Sequence, residues 1–426
     1  MSCAGNEDLN TPNMDRLAAE GTRFERAYCT YPLCTPSRAS MFGGRMPHEL
    51  GIRTNGQGVD ERYRSEELGL LLRNIGYECA YGGKWHVPEI AMPDGHGFDV
   101  YSGFDDVGLP TRLEQYLRNR NTSAPLFLVA SFDNPHNICE WRRDQNIPWG
   151  EIGVPPVPED CPVLPANFEI PPYEPEIIRS VTMADRRLYP DDRYTHDQWR
   201  RYRWAYFRLV ELVDREIGRT IEVLDNEDYL ENALVVFSSD HGDGHGAHKL
   251  VQKSFLYEEA VRVPLIVDTP ERRNRGVSIA SPISSGLDVY QTICDYAEVV
   301  SPEGTGGVSL RRAAEEGEAE SDREYIAVET QLNGSPQDRG RMIAGDRYKY
   351  VAYEWGAYRE QLFDLIDDPG EMINLAVSAK HKSVLDRHRA WLGEWCEETG
   401  DQFYGGHYSH PDVPFMVPGD PYPQNP

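Results

Sequence analysis

The sequence predicts an α/β protein: a large mixed, mostly parallel sheet flanked by helices, followed by a small antiparallel sheet with one helix. Three observations carry this reading. Short apolar, β-rich runs alternate with helical patterns through most of the chain, the arrangement that covers a parallel sheet on both faces. A Gly- and Glu-rich stretch from Ser301 to Asp322 then interrupts the pattern. Beyond it, four strand-like runs follow one another and a single helix closes the series. The expected division is residues 1–310 for the α/β domain and 311–426 for the smaller one.

The elements follow in order. Thr11-Pro12, then Met14, Leu17 and Ala18, closed by Gly21, reads as a short helix with Thr11 as N-cap and Pro12 in its first turn. A strand over Arg23 to Ala27 precedes a second helix, which Thr35 caps and Pro36 opens. A third helix spans Ser65 to Asn74 and stops at Gly76. Strands are expected over Tyr77 to Tyr81, Leu126 to Phe132, Ala233 to Ser238 and Val263 to Val267, and the longest helix over Asp197 to Leu224. Between Asn146 and Pro190 proline is so frequent that the chain should form a long irregular surface excursion. The C-terminal strands fall at Glu324 to Glu329, Arg341 to Ala344, Tyr348 to Tyr353 and Gln361 to Leu365, and the last helix at Lys382 to Glu397. The Pro-, Tyr- and Phe-rich end should wrap over the surface without structure of its own.

Composition narrows the partners. A formal net charge of -27 disfavours nucleic acid and anionic membranes, which need clustered Lys and Arg. No run approaches the roughly 20 apolar residues that span a bilayer. An anionic substrate would need a local positive site inside this negative field. The eight cysteines show neither paired C-x-x-C spacing nor the density of a disulfide scaffold. The first residues are not a signal peptide, and the sequence does not fix a compartment.

Ligands of open parallel sheets sit at the carboxyl ends of strands, and the polar residues that follow the expected strands form one set. They are C-T-P-S-R-A-S at 34–40, G-G-K-W-H ending at His86, D-N-P-H ending at His136, and S-D-H-G at 239–242. Cys34 falls at a helix start, where free N–H groups and the helix dipole favour negative charge. Taken alone, such a cysteine is more often structural than catalytic.

The run C-T-P-S-R-A-S-M-F-G-G-R closely resembles the signature of the formylglycine-dependent sulfatases. Further blocks keep that family's order: G-K-W-H, S-F-D-N-P-H, F-S-S-D-H-G, Q-K-S-F-L-Y-E-E-A-V-R-V-P-L and Q-L-F-D-L-I-D-D-P-G-E-M-I-N-L-A. The resemblance implies an alkaline-phosphatase-like α/β fold and hydrolysis of a sulfate ester, a sulfated carbohydrate being the expected class. It implies that a formylglycine-generating enzyme oxidises Cys34 to an aldehyde, whose hydrate attacks sulfur with one hydroxyl and expels sulfate by collapse from the other. By the same resemblance Arg38 stabilises the diol, Lys84 holds sulfate oxygens and the diol, and His86 is the base for the collapse. His136 and Lys253 bind the ester oxygen and assist the leaving group. Asp240 and His241 would ligate a divalent cation, usually calcium. His245 and His248 lie in a Gly-rich loop without zinc spacing and read as loop histidines.

Relatives begin with an apolar strand that ends in two acidic metal ligands. The stretch before Gly5 holds neither, and Glu7 and Asp8 belong to the later loop. The expectation is that Met1 is internal to a longer reading frame. A non-catalytic relative that binds sulfated ligands, and a phosphonate or phosphate ester hydrolase on the same scaffold, are the alternatives. Substrate choice should reside in the Pro-rich excursion and the C-terminal domain, where Trp141, Trp149, Tyr173 and Trp355 could stack on sugar rings.

Overall fold

The computed structural model describes residues 1–86, 93–184, 193–270, 275–281, 283–317 and 323–403. The Pro-rich end of the chain lies outside them. Helix α1 (Pro12–Glu20) leads into β1 (Thr22–Tyr28), α2 (Cys34–Gly43), α3 (Leu68–Asn74), β2 (Glu78–Gly83), β3 (Asp99–Ser102), α4 (Leu109–Asn119) and β4 (Leu126–Ser131). There follow α5 (Ile138–Arg142), α6 (Glu176–Ala184), α7 (His196–Asn226), β5 (Val235–Ser238), α8 (Glu258–Val261), β6 (Arg262–Asp268), β7 (Val277–Ile279), β8 (Ile283–Ser284), α9 (Ser285–Tyr296) and α10 (Arg311–Glu316). The last part holds β9 (Ile326–Gln331), β10 (Arg339–Ala344), β11 (Tyr348–Tyr353), β12 (Glu360–Asp364) and α11 (Lys382–Thr399).

The strands before residue 300 form two sheets. One runs β5-β6-β1-β7, with β8 also on β1; the other runs β3-β2-β4. Both β1 and β5 lie antiparallel to β6, so they point the same way, and β2 is parallel to β3 and β4. The carboxyl ends of β1 and β5, and those of β2 and β4, therefore each share an edge. β5 and β4 are terminal strands of their sheets. They line the same cleft of about 1520 Å³, with apolar walls that include Leu128, Val236 and Val213. Their residues are only partly buried, unlike those of β9 and most of those of β6.

Local chemistry explains most element ends. Thr195 caps α7 through a reciprocal pair with Gln198, whose backbone N–H reaches the Thr195 hydroxyl at 3.3 Å while its side-chain oxygen accepts the Thr195 N–H at 2.8 Å. Thr11 makes no such bond to α1. Instead Asp214 of α7 accepts the N–H groups of Asn13 and Met14 at 3.3 and 2.9 Å, a cap supplied by a neighbouring helix. Met14, Leu17 and Ala18 pack there on Val213, Ile217 and Ile221. The Pro-rich excursion departs from its expected irregularity, since Glu176–Ala184 forms α6. Pro175 is the last proline before a fourteen-residue stretch without one, and Ile177, Ile178 and Val181 bury one face of the helix.

The four strands β12-β11-β10-β9 make a fully antiparallel sheet, with α11 on one face. Its other face shares one apolar cluster with the larger sheet, through Val328, Met342 and Phe363 against Phe24, Leu256 and Tyr257. A buried polar group ties the two sheets as well: His48 Nδ1 lies 3.0 Å from Glu329 of β9. Burial alone would lower the His48 pKa, but Glu329 outweighs it and raises it to about 9. The folded value lies above the unfolded one, so this stabilisation is complete below about pH 6.5 and is lost as pH rises through about 9. His48→Gln should therefore narrow its melting-temperature deficit relative to wild type between pH 6.5 and 9.5. A deficit independent of pH over that window would remove His48 from the account.

Candidate active site

Four strand ends deliver the site. The loop after β1 leads to Cys34, which is the first residue of α2 with Leu33 as N-cap; the expected cap at Thr35 is therefore two positions off. The Thr35 hydroxyl instead bonds the His86 carbonyl at 2.6 Å, and its N–H goes to Asn55 Oδ1 at 3.1 Å. After β2, Gly83 sits at φ +93°, and a Cβ there would lie 1.8 Å from the Ser131 carbonyl oxygen. Only glycine lets the ends of β2 and β4 close this tightly and bring Lys84 inward.

Cys34 is fully buried, with Lys253 Nζ and His241 Nε2 each 3.2 Å from its sulfur. Burial disfavours the thiolate, but Lys253, His241 and Lys84 overcome it and hold the thiol well below its ordinary range. Lys253 answers in kind: burial lowers its pKa, while Cys34 and Asp240 raise it to about 12. Arg38 spans the floor, donating from Nε to Asp240 Oδ2 at 2.8 Å and from its terminal nitrogen to Ser131 Oγ at 2.8 Å and the Lys84 carbonyl at 3.1 Å. Asp240, despite a burial that pushes its pKa up, is held well below the carboxylate range by Arg38 and then His241. The His241 Nδ1 pairs with the Gly242 carbonyl at 2.8 Å, which makes Nδ1 the donor and leaves Nε2 open towards the sulfur.

Lys84 is buried and its ammonium lies 3.1 Å from Asp133 Oδ1. His136 follows on the same turn, its Nδ1 4.0 Å from that oxygen. Burial, then Lys84 and Lys253, lower the His136 pKa to about 4, so the ring is neutral near pH 7 and Lys253 carries the charge of the pair. The structure thus brings Cys34, Arg38, Lys84, His136, Asp240, His241 and Lys253 to one place. The His86 side chain is exposed at φ +51°, and only its carbonyl is tied to the site. Two residues not singled out in the sequence belong here: Asp133, which pairs with Lys84, and Ser131, which accepts from Arg38. Asp133 opens the D-N-P-H block, and its place directly after a strand was the available signal. His245 and His248 stand apart from this group: His245 meets Arg203, and His248 stacks on Tyr257.

Cys34, Asp240 and His241 present ligand atoms within 4.8 Å of one another. A hard cation takes six to eight oxygens. Here one carboxylate is offered and Arg38 already holds one of its oxygens. The described residues alone do not complete a calcium site.

Comparison with known proteins bears on this arrangement. The family described as Sulfatase matches residues 1–299, and that described as N-sulphoglucosamine sulphohydrolase, C-terminal, matches residues 246–397. A Delta 4,5-hexuronate-2-O-sulfatase of Bacteroides thetaiotaomicron is 28% identical over 409 residues, which cover 92% of this chain and 84% of that protein. A solved 2-O GAG sulfatase is 27% identical with a TM-score of 0.79, over 98% of this chain and 93% of the other. The phosphonate monoester hydrolase of Agrobacterium radiobacter, at 20% identity and a TM-score of 0.75 over 95% and 94% of the two chains, shares the fold. The alkaline-phosphatase-like architecture expected from the motifs is thus the one observed, and the chain belongs to the sulfatase family, the sulfuric ester hydrolases.

Proposed function

We propose that the protein hydrolyses a sulfate ester of a carbohydrate, with a hydrated formylglycine made from Cys34 as nucleophile. The observation that carries this is the charge around Cys34. Arg38, Lys84 and Lys253 supply three cations against the two carboxylates of Asp240 and Asp133. Once Cys34 is a neutral aldehyde, these groups leave the pocket net positive, as an anionic ester requires, and the sulfate class is supported by the sulfatases to which the chain is similar. The carbohydrate class is supported by the hexuronate and GAG sulfatases to which the chain is similar.

The formylglycine hydrate would supply two hydroxyls on one carbon, one to attack sulfur and one whose ionisation releases sulfate. Lys84 and Lys253 hold the sulfuryl oxygens, and Arg38 fixes the loop ends around the nucleophile. His136, neutral at working pH, donates a hydrogen bond to the departing oxygen beside the charged Lys253. His86 is proposed as the base that ends the cycle. Asp240 and His241 are the residues that would hold a divalent cation, calcium by the family resemblance, which would add positive charge beside the transferred group. Residues 1–310 and 311–426 are proposed as the catalytic and smaller domains, and a formylglycine-generating enzyme as the partner in maturation.

A phosphonate or phosphate ester hydrolase is the second reading, favoured by the shared fold. The test is kcat/KM on matched aryl sulfate and aryl phosphate esters, with Cys34 conversion confirmed by mass. A sulfate preference of at least about 100-fold is expected, roughly 2.7 kcal/mol in the transition state. A preference for phosphate or phosphonate would replace the sulfatase reading, and no turnover of either ester would favour a non-catalytic binder of sulfated ligands.

A further inference from the structure

Asp106 lies in the loop between β3 and α4 and is 2% exposed. Its two carboxylate oxygens accept consecutive backbone N–H groups, Asp133 N at 2.7 Å and Asn134 N at 2.9 Å. Those two residues open the turn that carries the Lys84 partner, Asp133, and His136. We infer that Asp106 is a positioning residue of the active site, whose ionised carboxylate clamps the Asp133–His136 turn and so fixes Lys84 and His136. The inference rests on the proposed function for the meaning of those two side chains.

Stability alone does not account for this carboxylate. Burial raises its pKa to about 6, with the two N–H bonds pulling back and the Asp133 charge adding to the rise. A group whose folded pKa lies above its unfolded one makes the fold less stable as pH climbs through that range. The charged groups nearby do not relieve it. Asp133 is paired to Lys84, Arg112 is engaged with Asp105, and Arg219 is directed to the Val107 carbonyl and Glu216. Holding the charge at neutral pH therefore costs stability, and what it secures is the geometry of a turn in the site. Asparagine at 106 would accept from one N–H and oppose the other with its own amide hydrogens.

The test compares wild type with Asp106→Asn and Asp106→Glu. One readout is affinity for inorganic sulfate by calorimetry, which needs no turnover; the other is kcat on the aryl sulfate. Asp106→Asn should weaken sulfate binding about tenfold and lower kcat by about 10- to 100-fold, since small displacements of catalytic groups have effects of this size. Its melting temperature at pH 7.5 should equal or exceed that of wild type. The wild-type to Asp106→Asn ratio should shrink towards one as pH falls through about 6, where the wild-type carboxylate takes up its proton. Asp106→Glu, which keeps the charge, should recover part of both effects. Sulfate affinity unchanged in Asp106→Asn, losses that track a fall in melting temperature, failure to fold, a pH-independent ratio, or no recovery by Glu would each overturn the inference. A wild type that binds sulfate in an Asp106-dependent way yet turns over no sulfate ester would leave the clamp standing and sink the proposed function.

Discussion

Cys34→Ala is expected to abolish turnover of an aryl sulfate, by roughly 10⁴-fold or more, because removal of a covalent nucleophile leaves only binding and electrostatic stabilisation. The side chain is small and buried, so the fold should persist. Cys34→Ser separates the chemical roles. A serine can attack sulfur, but it has no second hydroxyl on the same carbon to release sulfate. The expected outcome is a protein that gains the mass of one sulfo group and stops. Steady turnover by Cys34→Ala, with matched circular dichroism, would move the nucleophile elsewhere.

The second large effect is expected from Arg38→Ala. Its guanidinium joins α2 to the ends of β2, β4 and β5 through the Lys84 carbonyl, Ser131 and Asp240. Without it Asp240 remains buried with no bidentate-capable partner, and such losses cost about 3–5 kcal/mol. Denaturant midpoints should fall accordingly, and sulfatase activity should fall below detection. Arg38→Lys should restore part of the stability but little activity, because one ammonium cannot reach three acceptors held by a planar fork. Equal stability of Arg38→Ala and wild type would show that the Asp240 charge is met by another group.

How much of this was legible depends on what each element needs. Strand and helix positions came through where apolar spacing is local, as for Tyr348–Tyr353 and for most of α7, although its cap at Thr195 was not read. The capping of α1 by Asp214 was not legible, because the partner lies 200 residues away in sequence. The helix at Glu176–Ala184 was masked by the prolines around it. The site residues at strand ends were readable as a set, since the sheet itself gathers them. Asp133 and Asp106 were not, because their roles depend on which backbone N–H or ammonium a buried carboxylate meets. The offset at Cys34 has a similar cause: the Thr35 hydroxyl is drawn to the His86 carbonyl and does not cap the helix.

The cleft between β4 and β5 has a dynamic consequence. Among the described residues each of these strands pairs with another strand on one side only, so the amides that face the cleft have no ladder partner there. In deuterated buffer those amides should exchange by small local fluctuations, long before the amides on the opposite edges of the same strands or those of β1. The two sheets would then behave as separate cooperative units, coupled through α2, Arg38 and the packing of α7, and the catalytic groups would sit astride the seam between them. A peptide or chain segment that paired with both edges would slow this exchange on both sides at once. It would lock the relative placement of Lys84 and Asp240 without touching either one.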